Sequence, residues 1–401
     1  MTATRRLRGI AWDHPRAMNP LRAISAGWST ANDCPVQWDA RSLKHFEDQP
    51  LEELADRYDL ILIDYPFVGF AASSGLIAPV EDWADADYLA DQAAASVGPS
   101  YPSYTWHRRQ WALAIDAACQ VSGVRSDLLE TSSRTGLPET WDDVMELAAA
   151  LRDGGCRVAI PLNPNHAYCA FLSLGISRAG PRFWPAGGHL DKGAARATLE
   201  FLRELSTRVH PLSRGGDPIA ISDRMSTTAE ILYVPLMFGY SCYARAGFRP
   251  KRIRFGDAPR GPGACIGSVL GGVGIALSAR SENPGLAADL ARLIASRDVQ
   301  SGLYATAGGQ PGHAAAWESR RVNDLVDDFF SATRRTIEQA FLRPRVAGHR
   351  RFQVLAGELI HRFIWQGRTS PDHCLAEFEL LAERLLGDWR DTGTDRKAGA
   401  A

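Results

Sequence analysis

Residues 271–313, GGVGIALSARSENPGLAADLARLIASRDVQSGLYATAGGQPGH, constrain the fold more than any catalytic-looking cluster, because they read as one packed unit that ends in a polar turn. Gly271 and Gly272 lead into the apolar run Val273–Leu277, the pattern of a buried strand entered where two backbones approach closely. Ser281 or Asn283 supplies a helix N-cap oxygen, Pro284 suits the first helical position, and Leu286, Leu290, Leu293 and Ile294 mark an amphipathic stripe. A second short helix is expected to begin near Arg297–Asp298 and end at Ala307, where Gly308–Gly309 break it and Gln310–Pro311 fix an exposed turn. A buried strand that hands over to helices in this way is the building unit of an α/β architecture.

A chain of 401 residues exceeds what one core usually holds, so two domains are expected, both packed at 45% hydrophobic residues. Patterning predicts strands at Leu7–Trp12, Val36–Ala40 and Leu60–Asp64, with helices at Asn19–Trp28 and Leu51–Ala55 between them. Such alternation demands crossover helices and a mostly parallel sheet in each lobe. Beyond Asp116 the chain is expected to enter a second lobe, with helices at Trp141–Arg152, Ala167–Ser177 and Lys192–Val209 and strands at Arg157–Pro161 and Glu230–Phe238. Gly271–Leu277 then returns it. The expected division is 1–115 with 273–320 as lobe one, 116–272 as lobe two, and 321–390 as a helical segment packing on the lobes. Val354, Leu355, Leu359, Phe363, Leu375, Phe378 and Leu385 recur there at helical periods. The small polar stretch 391–401 reads as a disordered tail.

With 45 basic and 46 acidic residues the net charge is −1, which gives no footprint for nucleic acid or an anionic membrane. Arg249–Arg254 and Arg343–Arg351 are basic clusters of the kind that coat a solvated face. No segment is apolar for long enough to span a bilayer. The start, MTATRRLRGIAWDHP, lacks the apolar core of a secretory signal, and the seven cysteines are odd in number, scattered and without metal-ligand spacing. As written the chain is expected in the cytoplasm; an upstream start would place it in the periplasm.

Four segments carry a family resemblance. Tyr58–Pro79, YDLILIDYPFVGFAASSGLIAP, has a strand, a turn, a short helix and a Gly-Leu-x-x-Pro exit. Trp111–Leu129, WALAIDAACQVSGVRSDLL, is similar to a crossover strand between lobes, and Pro138–Leu151, PETWDDVMELAAAL, to a Pro-x-Thr-Trp-Asp helix start. Together with residues 271–313 they resemble, in order and spacing, the family 1 extracellular solute-binding proteins, the carbohydrate-binding components of ABC importers. The resemblance implies the class II periplasmic-binding-protein fold: two α/β lobes, crossed by the chain near Asp116–Gln120 and again near Gly267–Gly272, with C-terminal helices. It implies a monomer that reversibly binds a small solute, a sugar or polyol, without cofactor or metal. An ABC permease would be its partner if the chain is exported.

In open α/β sheets ligands sit beyond the carboxyl ends of strands, and two lobes turn those ends toward one cleft. Sugars ask for polar groups beside aromatic faces, because hydroxyls both donate and accept while ring C–H faces are apolar. Trp12, Asp13 and His14 end the first strand, although Asp13 is equally suited to cap the following helix. Asp64 and Tyr65 end the strand at 60–64, and Asp116 with Gln120 lies where the resemblance passes the chain under the ligand. From lobe two, Asn163, Asn165, His166 and Tyr168 crowd one turn, and Phe238 and Tyr240 follow a strand. Ser268 belongs to the second crossing, while Gln310 and Arg343 are expected at the rim. The alternative class is a cytoplasmic enzyme on the same two-lobed fold, with Cys119 as nucleophile and His14 or His166 as base.

Overall fold

The computed structural model describes residues 5–42, 51–130, 136–367 and 369–387; the tail expected at 391–401 lies outside them. In lobe one, β1 (Leu7–Trp12) pairs in parallel with β2 (Val36–Arg41) on one side and β3 (Leu60–Asp64) on the other. Helix α1 (Pro15–Asn32) connects the first two strands, and the short α2 (Leu51–Ala55) precedes the third. Helix α1 starts four residues before the expected Asn19, because Pro15 occupies its first turn and the His14 ring accepts the Arg16 amide as N-cap. Its apolar stripe, with Leu21 and Ile24, packs on Leu7, Ala11, Leu60 and Leu62 of the sheet.

The expected crossover strand is β4 (Leu113–Val124), twelve residues long and buried almost throughout. It exchanges partners midway. Over Leu113–Cys119 it pairs antiparallel with β6 (Leu270–Ser278), and from Gln120 to Val124 with β5 (Ile231–Phe238). Among the described residues nine strands are therefore hydrogen-bonded into one sheet, whose two halves share β4. The antiparallel pairings, which stand beside the parallel ones of β1–β2, β1–β3 and Arg157–Val158 with β5, have a simple origin: β4 leaves lobe one and β6 returns to it.

Lobe two is built on α3 (Trp141–Leu151), α4 (Pro164–Ala179), α5 (Lys192–Ser206) and α6 (Pro218–Thr227). The Thr-Trp-Asp motif forms a capping box, in which Thr140 Oγ1 accepts the Asp143 amide and the Asp143 carboxylate accepts the Thr140 amide. The strand expected at Arg157–Pro161 stops at Val158, because Ser213 intercepts the backbone: its Oγ accepts from Ile160 N at 3.1 Å and its carbonyl from Leu162 N at 2.9 Å. After β6 comes α7 (Pro284–Ala295); Asn283 holds the N-cap position without a side-chain bond, and Ser281 Oγ accepts the Asn283 amide instead. The long helices α8 (His349–Gln366) and α9 (Pro371–Leu386) share a core with α4 and α5 through Phe352, Phe363 and Phe378. No described helix is long and apolar enough to cross a membrane.

Gly272 sets the spacing at the second crossing. Its φ is +117°, and a Cβ there would stand 2.3 Å from the Asp116 carbonyl oxygen. Gly285, by contrast, has nothing within 4 Å of its Cβ position. Gly272→Ala is expected to destabilise the protein by at least about 2 kcal/mol, read as a lower urea midpoint, with Gly285→Ala within about 0.5 kcal/mol of wild type. Equal midpoints for the two variants would show that the crossing tolerates a side chain.

Candidate functional site

The carboxyl ends of β1, β3 and β5 converge with the middle of β4 and the start of β6 on a cavity of about 100 Å³. Trp12, Phe238 and Tyr240 bring aromatic surface to it, and Asp64, Asp116, Arg16 and Arg343 bring charge. His166, Asn165 and Gln353 add polar groups from α4 and α8, and Pro218–Ile219 close the wall from the start of α6.

Two buried arginines organise this space. Arg16, in the first turn of α1, donates from Nε to Asp116 Oδ2 at 2.8 Å and from Nη2 to Asp116 Oδ1 at 2.5 Å. Its Nη1 reaches Gly239 O at 3.1 Å, and its guanidinium lies 4.7 Å from the Tyr240 ring centre, so it ties lobe one to lobe two. Burial opposes charge on Arg16, but Asp116 outweighs it and the net direction is upward. At Asp116 burial outweighs Arg16 and the direction is also upward. The two directions disagree about where the pair's proton sits, and the bidentate geometry, in which both carboxylate oxygens accept N–H bonds, is that of an ionised pair.

Arg343 is anchored on three sides. Its backbone N and its Nε both donate to Tyr65 Oη at 3.1 Å, Nη1 donates to Gln353 Oε1 at 2.8 Å, and Nη2 to Leu270 O at 3.3 Å. Gln353 passes the link on, donating to Asn165 Oδ1 at 2.7 Å. Asp64 is different. Its Oδ2 stands 3.9 Å from Arg343 Nη2, and its Oδ1 is buried with no hydrogen-bond partner. Burial pushes its carboxyl up to about 6, against the pull of Arg343 and of the neighbouring Tyr65 amide, which lies outside hydrogen-bond geometry to Oδ1, and with a smaller push from Asp116.

The residues singled out from the sequence divide by what the backbone asks of them, and Asn165 and Phe238 are among those that line the cavity. Trp12, Asp64, Asp116, His166, Tyr240 and Arg343 line the cavity. Asp13 is exposed, and His14, not Asp13, caps α1 while packing edge-on against Tyr240. Tyr65 and Tyr168 are core residues with no exposure, the first holding Arg343 and the second lying 3.4 Å from the His349 ring nitrogen. Asn163 caps α4 through the His166 amide. Gln120 accepts from Ser173 Oγ, and Ser268 Oγ donates to the Gln120 carbonyl, so both brace the crossing strands. Gln310 donates to Ala117 O and Gly239 O and accepts the Ser241 amide, which makes it a clamp on the backbone. Asp116 lines the cavity, yet its oxygens serve Arg16.

Arg16, Gln353 and Pro218–Ile219 were missed. A cation in the first turn of a helix opposes the macrodipole, and that misfit is the signal Arg16 carries in WDHPR. Asp217-Pro218 is a cap followed by a first-turn proline, the signature of the helix start observed there. Gln353 has no such signal, lying mid-helix. His14 and His166 are held neutral, lowered to about 4 and about 3, in each case chiefly by burial. Among the described residues no group of histidine, cysteine or acidic side chains is arranged to hold a metal ion.

The fold and cleft define a two-lobed binding architecture. No protein-family model matches the sequence. Among solved structures, the maltose-bound MalE3 of T. maritima superposes with a TM-score of 0.81 at 18% identity, over 94% of this chain and 99% of that one. An ABC transporter solute-binding protein of Thermotoga lettingae bound with α-D-tagatose gives 0.81 at 16% identity, over 96% and 100%. One from Agrobacterium radiobacter in complex with ribitol gives 0.79 at 16%, over 95% and 98%. This chain has the MalE-like, class II periplasmic-binding-protein fold that the order of its motifs implied.

Two measurements follow from the buried charges. Arg16→Met and Asp116→Leu are each expected to cost about 3–5 kcal/mol of stability by leaving one charge unpaired, and the double variant to recover much of that loss in urea unfolding. Additive losses would mean that the pair is not coupled. At Asp64 the folded state retains a proton that the unfolded chain has released, so wild type loses stability as pH rises from about 4 to about 6. The gap between Asp64→Asn and wild type should therefore widen in the variant's favour across that window and stay constant above it, as followed by melting temperature against pH.

Proposed function

We propose that the protein reversibly binds a small polar solute, a sugar or polyol, between its lobes, as the solute-binding component of an ABC importer or as a homologue working without one. One observation carries this reading: Asp64 Oδ1 is a buried acceptor without a partner, placed in a cavity walled by Trp12, Phe238 and Tyr240. A hydroxyl satisfies such an oxygen, and the C–H faces of a polyol suit the aromatic walls. The fold supports it, since the neighbouring structures named above hold maltose, α-D-tagatose and ribitol. The seven cysteines are free thiols, which fits residence in a reducing compartment.

The enzyme alternative finds little support in the same geometry. Cys119 is buried outside the cavity lining, and burial pushes its thiol up, away from the thiolate a nucleophile requires. His14 and His166 titrate well below neutral pH, which makes them weak bases.

A panel of hexoses, pentoses and alditols tests the reading. At a hundredfold excess over its dissociation constant a true ligand should add about 2.7 kcal/mol to the folded state, visible as a raised melting temperature, and be recovered with its mass unchanged. Asp64→Ala should weaken that ligand by about 2–4 kcal/mol in calorimetry, because the ligand hydroxyl loses its acceptor inside a closed cleft. Undiminished affinity in the variant would remove Asp64 from the site. A ligand returned chemically altered would move the protein to the enzyme class.

A further inference from the structure

We infer that the solute is a single uncharged monosaccharide or alditol, and that Arg343 is the residue that limits its size by walling the cleft on the side of α8. This rests on the sugar-binding reading and narrows it.

Two cavities meet at Asp64. The cleft cavity has about 100 Å³, and a second one, of about 400 Å³, lies beyond it against α2, β3 and α8. Asp64 borders both, and no other residue is common to their described linings. Helix α8 divides them: Gln353 faces the cleft, while Arg351, Val354 and Leu355 face the larger space. Arg343 lines the cleft side, and it is not a side chain that a ligand could push aside at low cost. It is buried, it bonds Tyr65 of lobe one, the Leu270 carbonyl of the returning strand and Gln353 of α8 at once, and displacing it would strand a guanidinium away from water. Arg16, held by Asp116 and stacked on Tyr240, is a second firmly anchored cation in the same lining. A second sugar ring directed at either arginine would have to displace a buried, hydrogen-bonded guanidinium.

Charge narrows the class further. The ionisable groups facing the space are Arg16 and Asp116, already paired, then Arg343 and Asp64, separated by 3.9 Å, and His166, held neutral. With Asp64 ionised the lining sums to zero. A carboxylate or phosphate on the ligand would compete with Asp64 for Arg343, and an ammonium group would face Arg16 and Arg343 together. A neutral ligand that donates to Asp64 Oδ1 and accepts from Arg343 leaves every charge balanced.

The test is isothermal calorimetry of the full chain with ribitol, D-mannitol and D-tagatose, against maltose, maltotriose and a hexuronate. One of the monomers should bind, with maltose and maltotriose at least about 100-fold weaker, the ratio expected when a ligand must displace a packed, hydrogen-bonded side chain. Gln353→Ala removes one anchor of Arg343 and Arg343→Ala removes the wall. Each should narrow the monomer-to-maltose ratio by about tenfold or more. Should Arg343→Ala not fold, Gln353→Ala carries the same readout. Maltose or maltotriose binding wild type as tightly as the best monomer would overturn the size limit while leaving the sugar-binding reading intact. A ratio unchanged in the folded variants would take the limiting role away from Arg343. Tighter binding of the hexuronate would overturn the requirement for neutrality. If no member of the panel binds, the sugar-binding reading itself falls, and this inference with it.

Discussion

A carboxylate placed midway along a buried strand has to be neutralised, and the way Asp116 achieves this shapes the whole centre of the molecule. It sits on the one strand that belongs to both lobes, where exchange with solvent is closed off. Its partner, Arg16, comes from the start of the first crossover helix, a hundred residues earlier, and then continues to the Gly239 carbonyl in lobe two. One ion pair thus joins the sheet, a lobe-one helix end and a lobe-two strand end. A first-turn arginine is unfavourable in an isolated helix; here the carboxylate it meets offsets both its desolvation and its clash with the helix dipole.

Arg343 repeats the arrangement on the other side of the cleft with neutral partners. A tyrosine hydroxyl, a glutamine amide and a backbone carbonyl accept three of its five side-chain donors, all from neutral groups, so its positive charge is only weakly compensated. That surplus bears directly on Asp64, the nearest acid. The carboxylate lies too far from the guanidinium for a strong pair, and burial, above all of its Oδ1, moves its titration upward.

The elements of the fold were legible because each is written locally. The capping box around Thr140, the apolar run of β6 and the strand ending at Asp64 are short-range patterns, and they appear within a residue or two of their expected limits. The site was legible only in part, and the reason is physical. Strand ends and helix starts gather polar residues for two purposes, binding ligands and satisfying the chain's own amides, and the residue types are the same. Asn163 and His14 were drawn to the list by position, and both turn out to serve amides of their own turns. Arg16 and Gln353 owe their places in the cleft to Asp116 and Arg343, partners that only the folded chain brings near.

If the cleft binds a solute as proposed, the unpaired oxygen of Asp64 is the group that a bound hydroxyl would satisfy. A buried acceptor without a donor costs about 1–3 kcal/mol, and among the described residues no donor reaches Asp64 Oδ1 at hydrogen-bond geometry. Water or a ligand hydroxyl can supply the missing donor. On the proposed reading a solute would favour the closed arrangement through a contact to this oxygen, the kind of differential affinity that any shift between two conformations requires. The Arg16–Asp116 pair is satisfied within the chain and holds the geometry, whereas Asp64 keeps an oxygen that no described donor reaches. Within one cleft, two similar carboxylates thus differ: one is spent on the fold, and the other is the one the proposed function assigns to recognition.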